Sequence, residues 1–277
     1  MNNADFWASV RTIISDGFTP EGLRKLDSYA EQFISGKFVY QRFSPQEQHG
    51  CAAGGTTNVI ASLLAGAEAS SDSQNQGTLS DYQRECQLGA KQEKVIEQWA
   101  KAVGVWMENV EESLPLSLGE QIAEGGEAVV YDHGSTLIKS IGLDYFIQPI
   151  FALDRISLHN AYFPETRLIT LGFGRDSSGE FKIIAEQPYI EGQPVNGDEI
   201  AEYMRQMGFE LKNPRNWTYA TKDIYLSDMH DENVIRSNRS DTLFVVDCDI
   251  RINTPELRTG GVRTLSTSVV FENDGKE

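Results

Sequence analysis

The sequence predicts an α+β protein, with a helical N-terminal region over residues 1–115 and a strand-rich remainder. Two observations carry this. Up to about residue 115, apolar residues recur three or four positions apart, the period of a buried helix face. From about residue 116 the pattern changes to short apolar runs separated by Gly, Asp and Ser, the punctuation of strands and turns.

In TPEGLRKLDSYAEQF, Thr19 is placed to cap and Pro20 suits a first helical turn, with Leu23, Leu26, Tyr29 and Phe33 on one face. Ser44-Pro45-Gln46-Glu47 has the form of a capping box and predicts another helix start. Gly54 and Gly55 interrupt that segment, and NVIASLLAG restores an apolar helical run. Residues 69–80 are polar and Ser-rich, which predicts a surface loop. A long helix follows over 81–103, with Val95, Trp99, Val103 and Trp106 three or four apart. Its aromatic residues read as core, not as a ligand platform.

IAEGGEAVVYDHGSTLIKSI predicts strand, turn, strand, with Asp132-His133-Gly134 at a hairpin tip. Pro149 opens a helix that continues through IFALDRISLHN. TRLITLGFGR and FKIIAEQPYI predict strands flanking the turn Asp176-Ser177-Ser178-Gly179. Asn196 and Glu199 mark a further helix, with Ile200, Met204 and Met207 as its apolar face. KDIYLSDMHDENVIRSNRSDTLFVVDCDI then predicts strand, loop, strand, hairpin, strand.

A hydrophobic content of 40% and a charged content of 23% are ordinary for a soluble globular protein. The net charge of -17 argues against non-specific nucleic-acid binding and against docking on anionic membranes, both of which need clustered Lys and Arg. A nucleotide is still compatible with this charge if a few cations and metal ions correct the field locally. Cys51, Cys86 and Cys248 form no CxxC pair and predict reduced thiols, not a zinc site. MNNADFWASVRTII has neither a basic start nor an unbroken apolar run, and no stretch reaches a membrane span, so the expected compartment is the cytoplasm.

Two segments carry chemistry. In the loop Leu226 to Asn233, an Asp is followed five residues later by Asn, then by two strands ending in Asp. That order suits phosphotransfer: Asp228 can orient the proton of an attacking hydroxyl, while the Asn233 oxygen and the Asp247 carboxylate can hold Mg²⁺ against phosphates. Asp249 competes with Asp247 for that role, and the direct join to the apolar strand favours Asp247. His230 is read as folding the loop in preference to assisting chemistry. The second segment is Glu124-Gly125-Gly126-Glu127-Ala128-Val129-Val130, followed by Leu137-Ile138-Lys139. Glycines at such a turn let backbone amides approach phosphates, and Val130 is suited to pack on a purine. Lys139 is a charge among Leu137, Ile138 and Ile141, so it needs a partner.

Gly-rich turn, strand lysine, helix, EQPYIEG, D-x-H-x-x-N and VVD occur in an order that resembles the protein-kinase-like superfamily over about residues 120–250. The D-x-H-x-x-N form is closer to aminoglycoside and choline phosphotransferases. With QRFSPQEQHG and the Trp-rich helix, the chain resembles the polyvalent protein kinases of bacterial phages and mobile elements. The resemblance implies a minimal kinase-like fold, with a β-rich N-lobe over 116–190 and a truncated C-lobe over 191–277. It implies ATP and Mg as cofactors, Asp228 as catalytic base, and Asn233 and Asp247 as metal ligands. Lys139 would contact the α and β phosphates, with Gly125 and Gly126 above them. Glu186, Gln187, Pro188 and Tyr189 would form the hinge that reads adenine. Asp154 is the best candidate on the helix for the partner of Lys139, with Asp144 and Glu165 flanking it.

Three departures qualify the resemblance. Ala128 stands where a third glycine is common, and Ser227, not Arg, precedes Asp228. Only 30 residues follow Asp247, without a substantial apolar helix, so residues 1–115 are expected to pack on the C-lobe and complete its core. The functions implied are phosphotransfer to a protein or small-molecule hydroxyl, with two alternatives: a pseudokinase binding module, or an adenylylating enzyme.

Overall fold

A computed structural model describes residues 3–35, 55–71, 80–118, 120–215 and 217–253. Helices α1 (Asn3–Ser15), α2 (Pro20–Ile34), α3 (Thr56–Ser71), α4 (Asp81–Val103) and α5 (Val110–Leu118) form the N-terminal part, with strand β1 (Trp106–Met107) between the last two. There follow β2 (Gln121–Glu124), β3 (Ala128–Asp132), β4 (Thr136–Ile141), helix α6 (Pro149–Tyr162), a 3₁₀ turn Pro164–Thr166, β5 (Ile169–Arg175) and β6 (Phe181–Pro188). The six strands form one sheet in the order β1-β5-β6-β4-β3-β2. The remainder holds β7 (Gly192–Pro194), α7 (Gly197–Gln206), β8 (Glu210–Asn213), β9 (Thr218–Ala220), β10 (Ile224–Ser227), β11 (Val234–Ser237), β12 (Leu243–Val245) and β13 (Asp249–Ile252). These strands make two small sheets, β13-β10-β9-β8 and β12-β11-β7. The α+β class and the order of a helical region before a β-rich part are as the sequence predicts.

Local chemistry explains the element ends. The Thr19 hydroxyl accepts the Gly22 N–H at 3.2 Å, with Pro20 opening α2. Ser80 and Gln83 make a reciprocal capping box at the start of α4, which ends on Gly104 in the left-handed region. Asn196 caps α7 through the N–H groups of Asp198 and Glu199, and Ile200 and Met204 are buried on its inner face. Of the loop expected at 69–80, residues 69–71 instead continue α3, and 72–79 fall outside the described residues. Trp106 leaves the helical face it was assigned to and starts β1, which lies parallel to β5. The helix start at Ser44 to Glu47 and Cys51 fall outside the described residues.

Strand alternation gives the six-stranded sheet two buried faces. Tyr131, Ile138 and Ile184 point to one side, where Val110 and Leu114 of α5 cover them. Ile141, Ile183, Ala185 and Phe173 belong to the main core, which α3, α4 and α6 share. The principal packing partners of α3 are α1, α2, α4, α6 and β5, and those of α4 include β5 and α6. Among the described residues, the N-terminal helices pack chiefly on the strand sheet and on α6. Residues 36–54 of the region expected to complete the C-lobe core fall outside the described residues.

Polar contacts fix this packing. Asn58 on α3 donates to the Ser157 hydroxyl of α6 at 2.8 Å, with both residues buried. Helix α6 has no side-chain cap of its own. Instead Gln92 of α4 accepts the Ile150 N–H at 3.2 Å and donates to Gln148 Oε1 at 2.9 Å. Gly89 makes this approach possible, since a Cβ there would lie 2.3 Å from the Ile147 carbonyl oxygen. Among the described residues no helix is long and apolar enough to cross a membrane.

Gly89 supplies a test of that packing. In an exposed helix Gly→Ala gains about 1 kcal/mol, whereas here the close Ile147 carbonyl should reverse the sign. Gly89→Ala should destabilise the protein by about 1–3 kcal/mol, read by urea denaturation.

Candidate functional site

Asp228 follows β10 and adopts a left-handed backbone, φ 63°. Asp tolerates this region better than most residues, and the loop holds it there. Asn233 Nδ2 donates to the Asp228 carbonyl at 2.8 Å and to its carboxylate at 3.1 Å. His230 lies inside the same turn, its Nε2 3.4 Å from Asp228 Oδ1, while its Nδ1 is 3.3 Å from the Glu232 N–H. These contacts agree with the loop-folding reading of His230.

The loop meets the Asp247 segment through the backbone. Val246 N–H donates to the Asn233 carbonyl at 2.9 Å, just beyond the β11–β12 pairing that joins Val234 to Val245. Lys139 reaches the same place from β4, its Nζ 3.2 Å from the Val246 carbonyl and 3.5 Å from Asp247 Oδ2. Asp228, Asn233, Asp247 and Lys139 therefore stand in one hydrogen-bonded chain. Asp249 sits on β13, opposite Ser227, whose hydroxyl donates to it at 3.0 Å, and is near enough to Arg155 and Glu127 to act on both electrostatically.

The carboxylate facing Lys139 is Asp247, not Asp154. Helix α6 does send a residue into the site, but it is the cation next in sequence. Arg155 donates from Nε to the Cys248 carbonyl at 2.8 Å and from one terminal nitrogen to Asp247 Oδ1 at 2.9 Å. Its other terminal nitrogen pairs with Glu127, at the end of the glycine turn. Burial acts to raise the Asp247 carboxyl, but Lys139 and Arg155 outweigh it and hold it well below the usual carboxylate range. Burial pushes Glu127 up, and Arg155 opposes that shift.

Behind this cluster lies a second, fully buried one. Gln187 donates to the Thr166 carbonyl at 2.7 Å and to the Val246 carbonyl at 2.9 Å. His159 Nε2 is 3.1 Å from the Thr166 carbonyl, and the Cys248 thiol lies 3.7 Å from His159 Nδ1. Burial, aided by nearby Lys139, lowers the His159 pKa to about 4, so the ring stays neutral.

The remaining expected site residues are placed as follows. Val130 pairs directly with Lys139 across β3 and β4, so both face the same side of the sheet. Gly125 and Gly126 lie in the β2–β3 turn, where the Tyr145 hydroxyl comes so close that a Cβ on Gly126 would meet it at 2.5 Å. Glu186 lies in the ladder between β4 and β5, its carboxylate accepting from Thr136 at 2.9 Å. Tyr189 is exposed, and its N–H is already spent on the Ser135 carbonyl at 3.1 Å.

The donor set suits magnesium, which takes hard oxygen ligands and keeps several waters. With Asn233 Nδ2 spent on Asp228, its Oδ1 makes no hydrogen bond among the described residues. Asp247 adds a half-exposed carboxylate. No group of three or more His, Cys, Asp or Glu is gathered for a metal among the described residues. Sequence reasoning passes over Arg155 and Glu127. The signal was present: Arg155, like Lys139, is a charge inside an apolar run, IFALDRISLHN.

A family model described as Serine/Threonine/Tyrosine Kinase found in polyvalent proteins matches residues 89–254, more than half of the chain. The match begins inside α4, well before the stretch at 120–250 that carries the motifs. No curated protein matches this chain. No solved structure matches it either.

A pH titration of stability tests the buried cluster. An unfolded imidazole takes up its proton near 6.5, whereas His159 resists until about 4. The unfolded state therefore binds more protons between these values, and stability falls as pH drops through the window. His159 should account for a loss of roughly 3 kcal/mol across it. Glu93 and Glu127, raised by burial, work the other way. The measurement is thus the difference in urea-unfolding free energy between wild type and His159→Gln, which should shrink that slope.

Proposed function

This chain belongs to the serine/threonine/tyrosine kinases found in polyvalent proteins, and from that premise we propose that it is an ATP- and Mg²⁺-dependent phosphotransferase acting on a protein or small-molecule hydroxyl. One observation carries the reading: Lys139, more than 80 residues away in sequence, meets the Asp228–Asn233 loop and Asp247 through the Val246 backbone.

Each residue then has a task that its position permits. Lys139 exchanges its long 3.5 Å contact with Asp247 for the α and β phosphate oxygens. Asn233 Oδ1 and the released Asp247 Oδ2 are the protein's ligands for the ion. Magnesium, when bound, offsets charge developing on the phosphate oxygens. Gly125 and Gly126 let the turn backbone approach those oxygens, and Val130 offers an apolar wall to the purine. Recognition of the adenine edge falls to those backbone groups of the Glu186 to Tyr189 segment that the β4 and β5 ladders leave open, the Tyr189 N–H being bonded to Ser135. Asp228 orients the acceptor hydroxyl and takes its proton, held in place by Asn233.

Two measurements test this. γ-Labelled ATP should transfer label to an acceptor and α-labelled ATP should not; the opposite pattern means adenylyl transfer and sinks the phosphotransferase reading. Asp228→Ala should lower kcat by about 10²–10⁴-fold while nucleotide affinity by calorimetry stays close to wild type. Asp247→Ala should lose both Mg²⁺-supported nucleotide binding and turnover. Equal losses of binding in the two variants would overturn the division of roles.

A further inference from the structure

Arg155 is bonded on three sides, and each bond goes to a different part of the site. Its Nε meets the Cys248 carbonyl at 2.8 Å, one terminal nitrogen meets Asp247 Oδ1 at 2.9 Å, and the other meets Glu127. The Phe146 ring lies 5.5 Å from the guanidinium carbon. The two oxygens of Asp247 are consequently unlike each other. Oδ1 receives both Arg155 and the Cys248 N–H, each at 2.9 Å, whereas among the described residues Oδ2 has only Lys139 at 3.5 Å.

We propose that Arg155 is a positioning residue for phosphotransfer: it fixes the rotation of Asp247 so that Oδ2 faces Lys139, and through Glu127 it ties the glycine turn to that carboxylate. The inference rests on the phosphotransferase reading above. A guanidinium is suited to this because its five donors lie in one rigid plane and can serve three acceptors at once. A lysine ammonium carries the same charge as a point, without the fork. Arg155 thus takes the place on α6 where an acidic partner for Lys139 was expected, and Lys139 and Arg155 share one carboxylate instead.

The test separates geometry from charge. Arg155→Lys keeps the cation beside Asp247, so a purely electrostatic role predicts no change. Calorimetric titration of ATP would be run over a series of Mg²⁺ concentrations, and again with chelator and no Mg²⁺. The expected result is a rise of about tenfold in the Mg²⁺ needed for half-maximal binding, the usual cost of losing a partner that orients a metal ligand. Metal-free ATP affinity should fall by less than the Mg²⁺ requirement rises, because the fork acts on the metal ligand; an equal fall in both would mean a general loss of the nucleotide site and overturn the inference. Glu127→Gln leaves the Arg155–Asp247 contact intact and should raise the Mg²⁺ requirement by about threefold, the reach of a partly exposed ion pair. If wild type binds ATP with Mg²⁺ and Arg155→Lys has an unchanged requirement, the inference falls and the phosphotransferase reading stands. If wild type binds no ATP, both fall. Should Arg155→Lys fail to fold, Glu127→Gln decides: an unchanged requirement overturns the link between turn and carboxylate.

Discussion

The structure depends on how residues 246–248, and the Val245 carbonyl before them, satisfy their backbone between two sheet ladders. Between β12 and β13 the chain leaves regular pairing, yet a buried carbonyl or N–H without a partner is costly. Side chains from four other places supply the partners. Thr166 donates to the Val245 carbonyl at 2.5 Å, Lys139 and Gln187 donate to Val246, and Arg155 donates to Cys248. The Val246 N–H goes to the Asn233 carbonyl. Two of these partners, Lys139 and Arg155, also meet the Asp247 carboxylate, so satisfaction of this backbone and placement of the site's cations go together.

That arrangement makes α6 the pivot between scaffold and chemistry. Its inner side delivers Arg155 and His159, and its outer side is held by Asn58 and capped by Gln92. Among the described residues, the N-terminal helices support the helix that aims the site. The start of the family match within α4 agrees with this, since the shared unit then includes Gln92, the residue that caps α6.

The electrostatics follow from the same geometry. A chain of net charge -17 places Lys139 and Arg155 against Asp247 and Glu127 in a balanced cluster. The two cations are largely buried and persist because they are paired and hydrogen-bonded to the more exposed Asp247 and Glu127. The acidic surface thus does not decide what the site can bind; the local pairs do.

The sequence by itself determined the succession of a helical region and a strand-rich part, the turns at Gly134 and Gly179, the caps at Thr19 and Asn196, and the isolation of Lys139 among apolar neighbours. These are properties of period, propensity and short-range capping, all encoded within a few residues. Where α3 ends and where Trp106 goes lay at the margin of that encoding, since an exposed Ser-rich turn and a helix face look alike over three residues. Only the tertiary structure decided that Lys139 pairs with Asp247, 108 residues away, and that Arg155, 92 residues from the same carboxylate, is its second partner. It also decided which surface the N-terminal helices cover. Such contacts depend on which apolar faces meet once the chain is compact, and no local pattern records the distance between two side chains that far apart in sequence.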